Sequence, residues 1–179
     1  TRFLDNVIDA NTYSVDKIGD MTRSTRKIGL GIMGFADMLM DMSIPYDSSE
    51  GVELGRSIMQ FIREESDQMS EELASIRGSF PEWQKSKYGP DGENRPMRNA
   101  CRLTVAPTGT ISMIAGCSSG CEPAFALSYH KHNILEGESL VYVDKTFERT
   151  AKDHGFYSDE LMTYLADGGS IQSREDVPE

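Results

Sequence analysis

The sequence predicts an α/β fold, with a mainly helical portion over residues 1–97 and a strand-loop-helix portion over residues 98–179. Apolar residues recur at helical spacing in the first portion, most regularly over residues 54–76. Polar and apolar residues alternate over residues 101–105, which is typical of a strand. A stretch rich in glycine and hydroxyl side chains follows directly, so we expect the chain to turn there and enter a helix.

The composition favours one domain without a nucleic-acid partner. A chain of 179 residues with 38% apolar residues can bury one core. Surfaces that bind nucleic acids need clustered Lys and Arg, whereas this chain has a net charge of -11 and a pI near 4.7. Two short basic clusters, at residues 23–27 and 95–102, are predicted to form a solvated rim.

Neither a membrane span nor an export signal is evident in the sequence. No apolar run reaches the roughly 20 residues of a membrane-spanning helix, and the first residues lack the pattern of a signal peptide. We therefore expect a cytoplasmic protein with no membrane partner. The three cysteines are an odd number, which favours reduced thiols over a disulfide framework.

Periodicity and capping residues predict the order of the elements. In the first portion they predict a helix at residues 3–8, a buried helix at 25–42, a helix that Ser48 or Ser49 caps and Gly78 stops, and a surface loop at 83–96. In the second portion they predict strands at residues 101–105, 124–128 and 140–143 and a helical start at 111–115. Two final helices are predicted, capped by Asp144 and Ser158 and closed by Gly155 and Gly168.

The string Gly29-Leu-Gly31-Ile-Met-Gly34 matches the G-x-G-x-x-G pattern of dinucleotide-binding folds. That pattern requires a buried strand before it and an acid at the end of a following strand, and neither is present. The glycines are therefore predicted to permit close helix packing.

Four side chains offer possible zinc ligands: Cys117, Cys121, His130 and His132. Their spacing differs from that of structural zinc sites, and alternation places the two histidines on one face of a strand, which suits a surface pair equally well. A cysteine nucleophile is a further alternative, but a buried inert thiol is the commoner case for these two cysteines and Cys101. No metal site is predicted.

Between Val105 and Pro123, two turns rich in glycine and hydroxyl groups flank a short apolar segment. Unpaired N–H groups at a helix N-terminus and the positive end of the helix dipole attract anions, and Gly109 would let the backbone approach a phosphate closely. The turn lacks the lysine of a Walker loop. It predicts an anion site, with a plain capped turn as the alternative.

Three stretches together resemble the large subunit of ribonucleotide reductases. They are Phe3-Leu-Asp-Asn-Val-Ile-Asp9, then Thr25-Arg-Lys-Ile-Gly-Leu-Gly-Ile-Met-Gly-Phe-Ala-Asp37, then residues 98–123, and they follow the family's order over nearly the whole chain. The form Ala106-Pro-Thr-Gly-Thr-Ile-Ser112 is most similar to the class II, adenosylcobalamin-dependent enzymes.

The resemblance implies a site and a fold. The residues implied to bind the substrate phosphates are Ala106, Pro107, Thr108, Gly109, Thr110, Ile111 and Ser112, with residues 116–123 as the neighbouring wall. The implied fold is part of the ten-stranded α/β barrel of these reductases, with this chain as one fragment of the catalytic barrel. No role for the cysteines follows.

The resemblance also implies what must come from elsewhere. The family's radical-cysteine motif, Asn-x-Cys-x-Glu, does not occur in these 179 residues, so no catalytic residue is assigned and the fragment alone is expected to be inactive. The implied partners are a ribonucleotide substrate, a complementary fragment carrying the radical-cysteine loop, adenosylcobalamin and a thiol reductant, in an oligomer. The alternatives are a non-catalytic anion- or nucleotide-binding module, and a class I type subunit with a separate radical-generating protein.

Overall fold

The computed structural model describes residues 1–134 and 138–178, which form seven α-helices and one antiparallel pair of strands. The helices are α1 Arg2–Ala10, α2 Asp16–Thr25, α3 Phe35–Asp41, α4 Ser49–Arg77, α5 Gly109–Ala115, α6 Lys145–Asp153 and α7 Asp159–Ala166, and the strands are β1 Ser128–Ile134 and β2 Glu138–Val143. Within the described residues, no helix has the length and apolar character needed to cross a membrane.

The chain groups into two compact units, each assembled from two separate segments. Unit 1 comprises Thr1–Ile32 and Val52–Ala106, and unit 2 comprises Met33–Gly51 and Pro107–Glu179. Helix α4 starts in unit 2 and continues through unit 1. The units therefore interleave along the sequence.

A buried carboxylate organises unit 1. Asp5 of α1 is 0% exposed and accepts hydrogen bonds from Arg26 Nε at 2.9 Å, Asn99 Nδ2 at 3.0 Å and Arg77 Nη1 at 3.0 Å. Burial opposes its ionisation, but the hydrogen bonds and charges of Arg26, Arg98 and Asn99 outweigh burial and lower the pKa of Asp5. One side chain thus ties α1 to α4 and to the segment around residues 98–99.

The prediction that the basic clusters form a solvated rim is wrong for Arg26 and Arg102, which are 4% and 6% exposed. Arg102 donates to Asp67 Oδ1 at 2.6 Å and to the Tyr88 hydroxyl at 3.0 Å. Each guanidinium has a buried carboxylate partner distant in sequence, which is the condition under which a charged side chain leaves water.

The buried helix predicted for residues 25–42 is wrong over its first half. Helix α2 ends at Thr25, residues 27–33 form no helix, and α3 starts only at Phe35. Leu30 instead forms a parallel bridge with Leu103, in which Leu30 N–H donates to Arg102 O at 2.8 Å. Ile28 is buried, and Leu30 and Ile32 are partly buried, along an extended segment, so helical periodicity misled the prediction.

The glycine string permits two extended segments to approach closely, and the prediction of helix packing is wrong. A Cβ on Gly31 would stand 2.7 Å from the Thr104 carbonyl oxygen, and one on Gly29 would stand 2.7 Å from Thr104 Cγ2. A side chain at position 31 would press on a backbone atom and force the two segments apart, whereas one at position 29 would displace the Thr104 side chain.

The core of unit 2 lies between two helices and the strand pair. Buried side chains come from α6 and α7, namely Phe147, Ala151, Leu161, Met162 and Leu165. The predicted caps are confirmed: Asp144 accepts from the N–H groups of Thr146 and Phe147, and the Ser158 hydroxyl accepts from Leu161 N–H. Gly155 and Gly168 follow these helices with positive φ, as predicted.

The strand predictions had mixed outcomes. The strand predicted at residues 140–143 lies within β2 and is confirmed. The one predicted at residues 124–128 is wrong except for Ser128, because residues 124–127 are irregular and Phe125 is 94% exposed. Residues 101–105 form a single bridge at Leu103 and no longer strand. Alternation detects a half-buried extended chain whether or not a partner strand pairs with it.

Candidate ligand-binding site

The turn singled out by the sequence enters helix α5 with three free backbone donors. Thr108 precedes the helix in the left-handed conformation, with φ 53° and ψ 19°, and its side chain does not cap α5. The N–H groups of Gly109, Thr110 and Ile111 have no hydrogen-bond partner within the described residues, and Ser112 N–H is the first to donate back, to Thr108 O at 2.9 Å. A Cβ on Gly109 would meet open space.

The two glycine- and hydroxyl-rich turns contact each other, as their sequence proximity predicts. Thr108 Oγ1 accepts from Gly120 N–H at 2.8 Å, and the hydroxyl oxygens of Ser112 and Ser119 lie 2.9 Å apart. The hydroxyls of Thr108 and Ser112 therefore hold the turn in place. Thr110 is exposed, and its hydroxyl makes no hydrogen bond to the described part of the chain.

Asp37 of α3 braces the second turn, a role that sequence reasoning missed. Its Oδ2 accepts from Ser118 N–H at 2.8 Å, and Gly34 N–H donates to Ser118 O at 2.9 Å. Asp37 Oδ1 is buried and has no hydrogen-bond partner among the described residues. The only sequence signal was an acid in the first turn of a helix, which does not reveal a partner 81 residues away.

A cavity of about 470 Å³ lies beside the turn, and Pro107, Gly109 and Ser112 line it. Of the other predicted residues, Ala106 is the last of unit 1, and Thr108, Thr110 and Ile111 do not line the cavity. Its volume falls within the range of small-molecule sites, about 300–1,000 Å³.

Charge in the cavity comes from three side chains, of which Lys145 and Asp144 lie outside the residues that the sequence analysis assigned to the site. Lys145 lines it, with Nζ 3.4 Å from where a Cβ on Gly116 would stand, and makes no ion pair within the described residues. Glu122 and Asp144 also line it, but the carboxylate of Asp144 is occupied in capping α6. The cavity thus offers an anionic ligand the cation of Lys145 and the free amide of Gly109, and Glu122 adds a negative charge to the same lining.

The four possible zinc ligands do not form a metal centre where the structure describes them. All three cysteines are free thiols, and Cys101 is exposed, so the expectation of a buried thiol is wrong there. His130 Nε2 lies 2.8 Å from Asp167 Oδ1, while the side chain of His132 lies outside the described part. Among the described residues, no three His, Cys, Asp or Glu side chains are placed to hold a metal ion.

Comparison with known protein families tests the family resemblance that the sequence motifs indicate. The family described as "Ribonucleotide reductase, barrel domain" matches residues 1–92 and 89–179. The chain belongs to this family. The resemblance inferred from the sequence is therefore confirmed, and the fold is that of the ribonucleotide reductase barrel domain.

Two curated relatives and one solved structure illustrate the similarity. The chain is 50% identical, over 97% of its length, to the vitamin B12-dependent ribonucleoside-diphosphate reductase of Thermoplasma acidophilum. It is 43% identical over 99% of its length to the protein of that name from Mycobacterium tuberculosis strain H37Rv. The chain spans 22% and 24% of these two relatives, about a quarter of their length.

The solved structure is the class Id ribonucleotide reductase alpha subunit of Actinobacillus ureae. It matches with a TM-score of 0.75 at 23% identity, over 99% of this chain and 32% of that one. The two proteins therefore share the fold of this region. The described residues contain two paired strands of it.

Proposed function

We propose that the chain is the part of an adenosylcobalamin-dependent ribonucleoside-diphosphate reductase that binds the substrate phosphates, within a ten-stranded α/β barrel. The observation that carries this proposal is the identity to two vitamin B12-dependent reductases over almost the whole chain. The free amides at the start of α5 support the phosphate assignment.

Within residues 106–112, the backbone does most of the binding. The N–H groups of Gly109, Thr110 and Ile111 donate to phosphate oxygens, and the Thr110 hydroxyl adds a further donor. The hydroxyls of Thr108 and Ser112 are engaged with the neighbouring turn and fix the loop. Ala106 and Pro107 lead the chain into the turn. Lys145 adds a positive charge to the same cavity.

The contribution of this chain to the reaction is binding and orientation. Reduction at C2′ of the ribonucleotide replaces the 2′-hydroxyl with hydrogen. The hydroxyl leaves as water, and a dithiol is oxidised to a disulfide. The radical cysteine and the dithiol belong to sequence that these 179 residues do not contain. Holding the phosphates at a fixed turn would position the ribose for chemistry that the rest of the enzyme performs.

Adenosylcobalamin would supply the radical in the complete enzyme. Its corrin ring, nucleotide loop and adenosyl group are too bulky for a cavity of about 470 Å³, and no histidine lines that cavity. This cavity therefore does not fit the cofactor, and none of its lining residues is assigned to it.

A complementary polypeptide with the Asn-x-Cys-x-Glu loop completes the proposed enzyme, as an oligomer in the cytoplasm with a thiol reductant. Both units expose large apolar side chains that support such a partner, including Phe3 in unit 1 and Ile114 in unit 2. Burying either side chain against a partner would lower the free energy of the complex.

The test combines the chain with such a polypeptide, adenosylcobalamin and a dithiol, and measures ribonucleotide reduction. We expect turnover that requires both polypeptides and the cofactor. Thr110→Ala and Gly109→Ala should raise KM and leave kcat nearly unchanged, because they weaken phosphate binding alone. Thr163→Ala, an exposed threonine on α7, is the matched control and should change neither constant.

Two other outcomes would select the alternatives. Turnover without cobalamin, but with a separate radical-generating protein, would replace the proposal with a class I type subunit. Association of the two polypeptides and nucleotide binding without any turnover would favour a non-catalytic nucleotide-binding module.

A further inference from the structure

Three aromatic rings line the cavity beside residues 107–112, which we call the phosphate turn. They are Phe125, Tyr129 and Tyr142. Tyr129 on β1 and Tyr142 on β2 are directly opposite each other in the strand pair, and their ring centroids are 5.1 Å apart. Phe125 meets Tyr129 edge to face, with centroids 6.3 Å apart and planes at 87°. The backbone register places the two tyrosine rings together and Phe125 packs against one of them, so the three rings form one surface, which we call the aromatic wall.

Two rings of the aromatic wall, Phe125 and Tyr142, are exposed, which a packing role alone does not explain. Phe125 is 94% exposed and Tyr142 is 39% exposed, whereas the core of unit 2 lies between α6, α7 and the strands. Rings held at fixed geometry beside a cavity are suited to contact a flat apolar group.

We propose that the aromatic wall binds the base of the ribonucleotide whose phosphates lie at residues 107–112. This inference rests on the proposed function, because it takes the phosphate turn as the other end of the same ligand. Gly109 of the turn and the three rings of the wall line one cavity, so a ligand that fills it can meet both an amide donor and aromatic rings. A nucleotide has this combination of an anionic end and a flat aromatic end.

The chemistry of the wall favours contact with any base over selection of one. Stacking on an aromatic ring tolerates every base, because each has a π-face. Burial, with smaller contributions from Tyr142 and Asp144, raises the pKa of Tyr129 above its ordinary value of 10.0, so its hydroxyl stays neutral at physiological pH. The ring therefore adds no negative charge that would repel the phosphates.

The test compares two ligands that differ only by the base, AMP and ribose 5-phosphate, with pyrophosphate as a third. Their Kd values for the 179-residue chain would be measured by calorimetry or ligand-observed NMR. We expect AMP to bind more tightly than ribose 5-phosphate. Tyr142→Ala should weaken AMP binding about tenfold and leave ribose 5-phosphate unchanged, because only AMP loses a stacking partner.

Matched variants separate stacking from folding. Tyr142→Phe keeps the ring and should bind AMP like the wild type, and Phe125→Ala should repeat the loss. Phe61→Ala removes an exposed ring of unit 1 and should change no Kd. Circular dichroism and the Tm of each variant confirm that it folds.

The outcomes distinguish this inference from the proposed function. The inference is overturned if AMP binds wild type no better than ribose 5-phosphate, or if Tyr142→Ala weakens both ligands equally. If pyrophosphate and ribose 5-phosphate do not bind, but AMP binds and its binding depends on Tyr142, the aromatic wall stands and the phosphate assignment falls. If Thr110→Ala weakens both phosphates while Tyr142→Ala changes neither, the phosphate turn stands and the wall falls.

Discussion

The two units use polar groups in opposite ways. Unit 1 encloses them: the carboxylate of Asp5 is 0% exposed and is surrounded by donors from three parts of the chain. Unit 2 leaves them available: three amides at the start of α5 have no partner among the described residues, and Lys145 has no ion pair there. Satisfied polar groups stabilise a fold, whereas unsatisfied ones remain free to bind a ligand.

This difference explains why the conspicuous arginines are poor guides to function. Arg26 and Arg102 have charge and planar donors suited to phosphate, yet both are committed to buried carboxylates. The turn at residues 107–112 has no charged side chain, yet it presents the free donors.

The largest expected effect follows from Asp5→Ala. Removing this carboxylate takes away the fully buried partner of Arg26, which keeps only the half-exposed Asp9, and breaking a buried ion pair in this way costs about 3–5 kcal/mol. Urea denaturation, monitored by a spectroscopic probe placed in unit 1, would measure the change in the free energy of unfolding.

Asp9→Ala is the matched control, because Asp9 also binds Arg26 but its side chain is 55% exposed. Because the Asp9 carboxylate is solvated and Arg26 keeps its hydrogen bonds to Asp5, this variant should lose less, about 1 kcal/mol. Equal losses from Asp5→Ala and Asp9→Ala would contradict the view that enclosure in unit 1 sets the cost.

A smaller effect is expected from Gly31→Ala. The added Cβ would stand 2.7 Å from the Thr104 carbonyl oxygen, and a backbone atom cannot move aside as a side chain can. Such overpacking costs about 1–3 kcal/mol of unfolding free energy. Gly109→Ala adds the same methyl group in open space and should leave the unfolding free energy almost unchanged. If both variants unfold alike, close approach is not the reason for glycine at position 31.

The contrast between the units also shows what the sequence could predict. Local signals were sufficient for α4, for the caps of α6 and α7 and for the turn into α5, because each depends on residues within a few positions. The extended segment at residues 27–33 was mistaken for helix because its partner near Leu103 lies some 70 residues away. The role of Asp37 and the convergence of the aromatic rings likewise depend on contacts that no local pattern records.

The smallest expected effect concerns Asp37, the carboxylate of unit 2 that corresponds to Asp5 of unit 1. Only one of its oxygens is satisfied: Oδ2 accepts from Ser118 N–H at 2.8 Å, while Oδ1 is buried without a partner among the described residues. Asp37→Ala leaves the Ser118 amide unbonded, which costs about 1–2 kcal/mol. Hydrogen exchange should show faster exchange of that amide and of Gly34, whose acceptor is Ser118 O.

Asp37→Asn separates the hydrogen bond from the charge. The amide oxygen of the asparagine can accept from Ser118 N–H. The variant also removes a charge of which one oxygen, Oδ1, is buried without a partner among the described residues. Hydrogen exchange at the Ser118 amide should therefore match the wild type or become slower. If Asp37→Asn exchanges as fast as Asp37→Ala, the negative charge itself holds the turn. The fold of unit 2 would then depend on a carboxylate charge, as the fold of unit 1 does on Asp5. The two units would differ only in the free N–H donors that unit 2 presents at the start of α5.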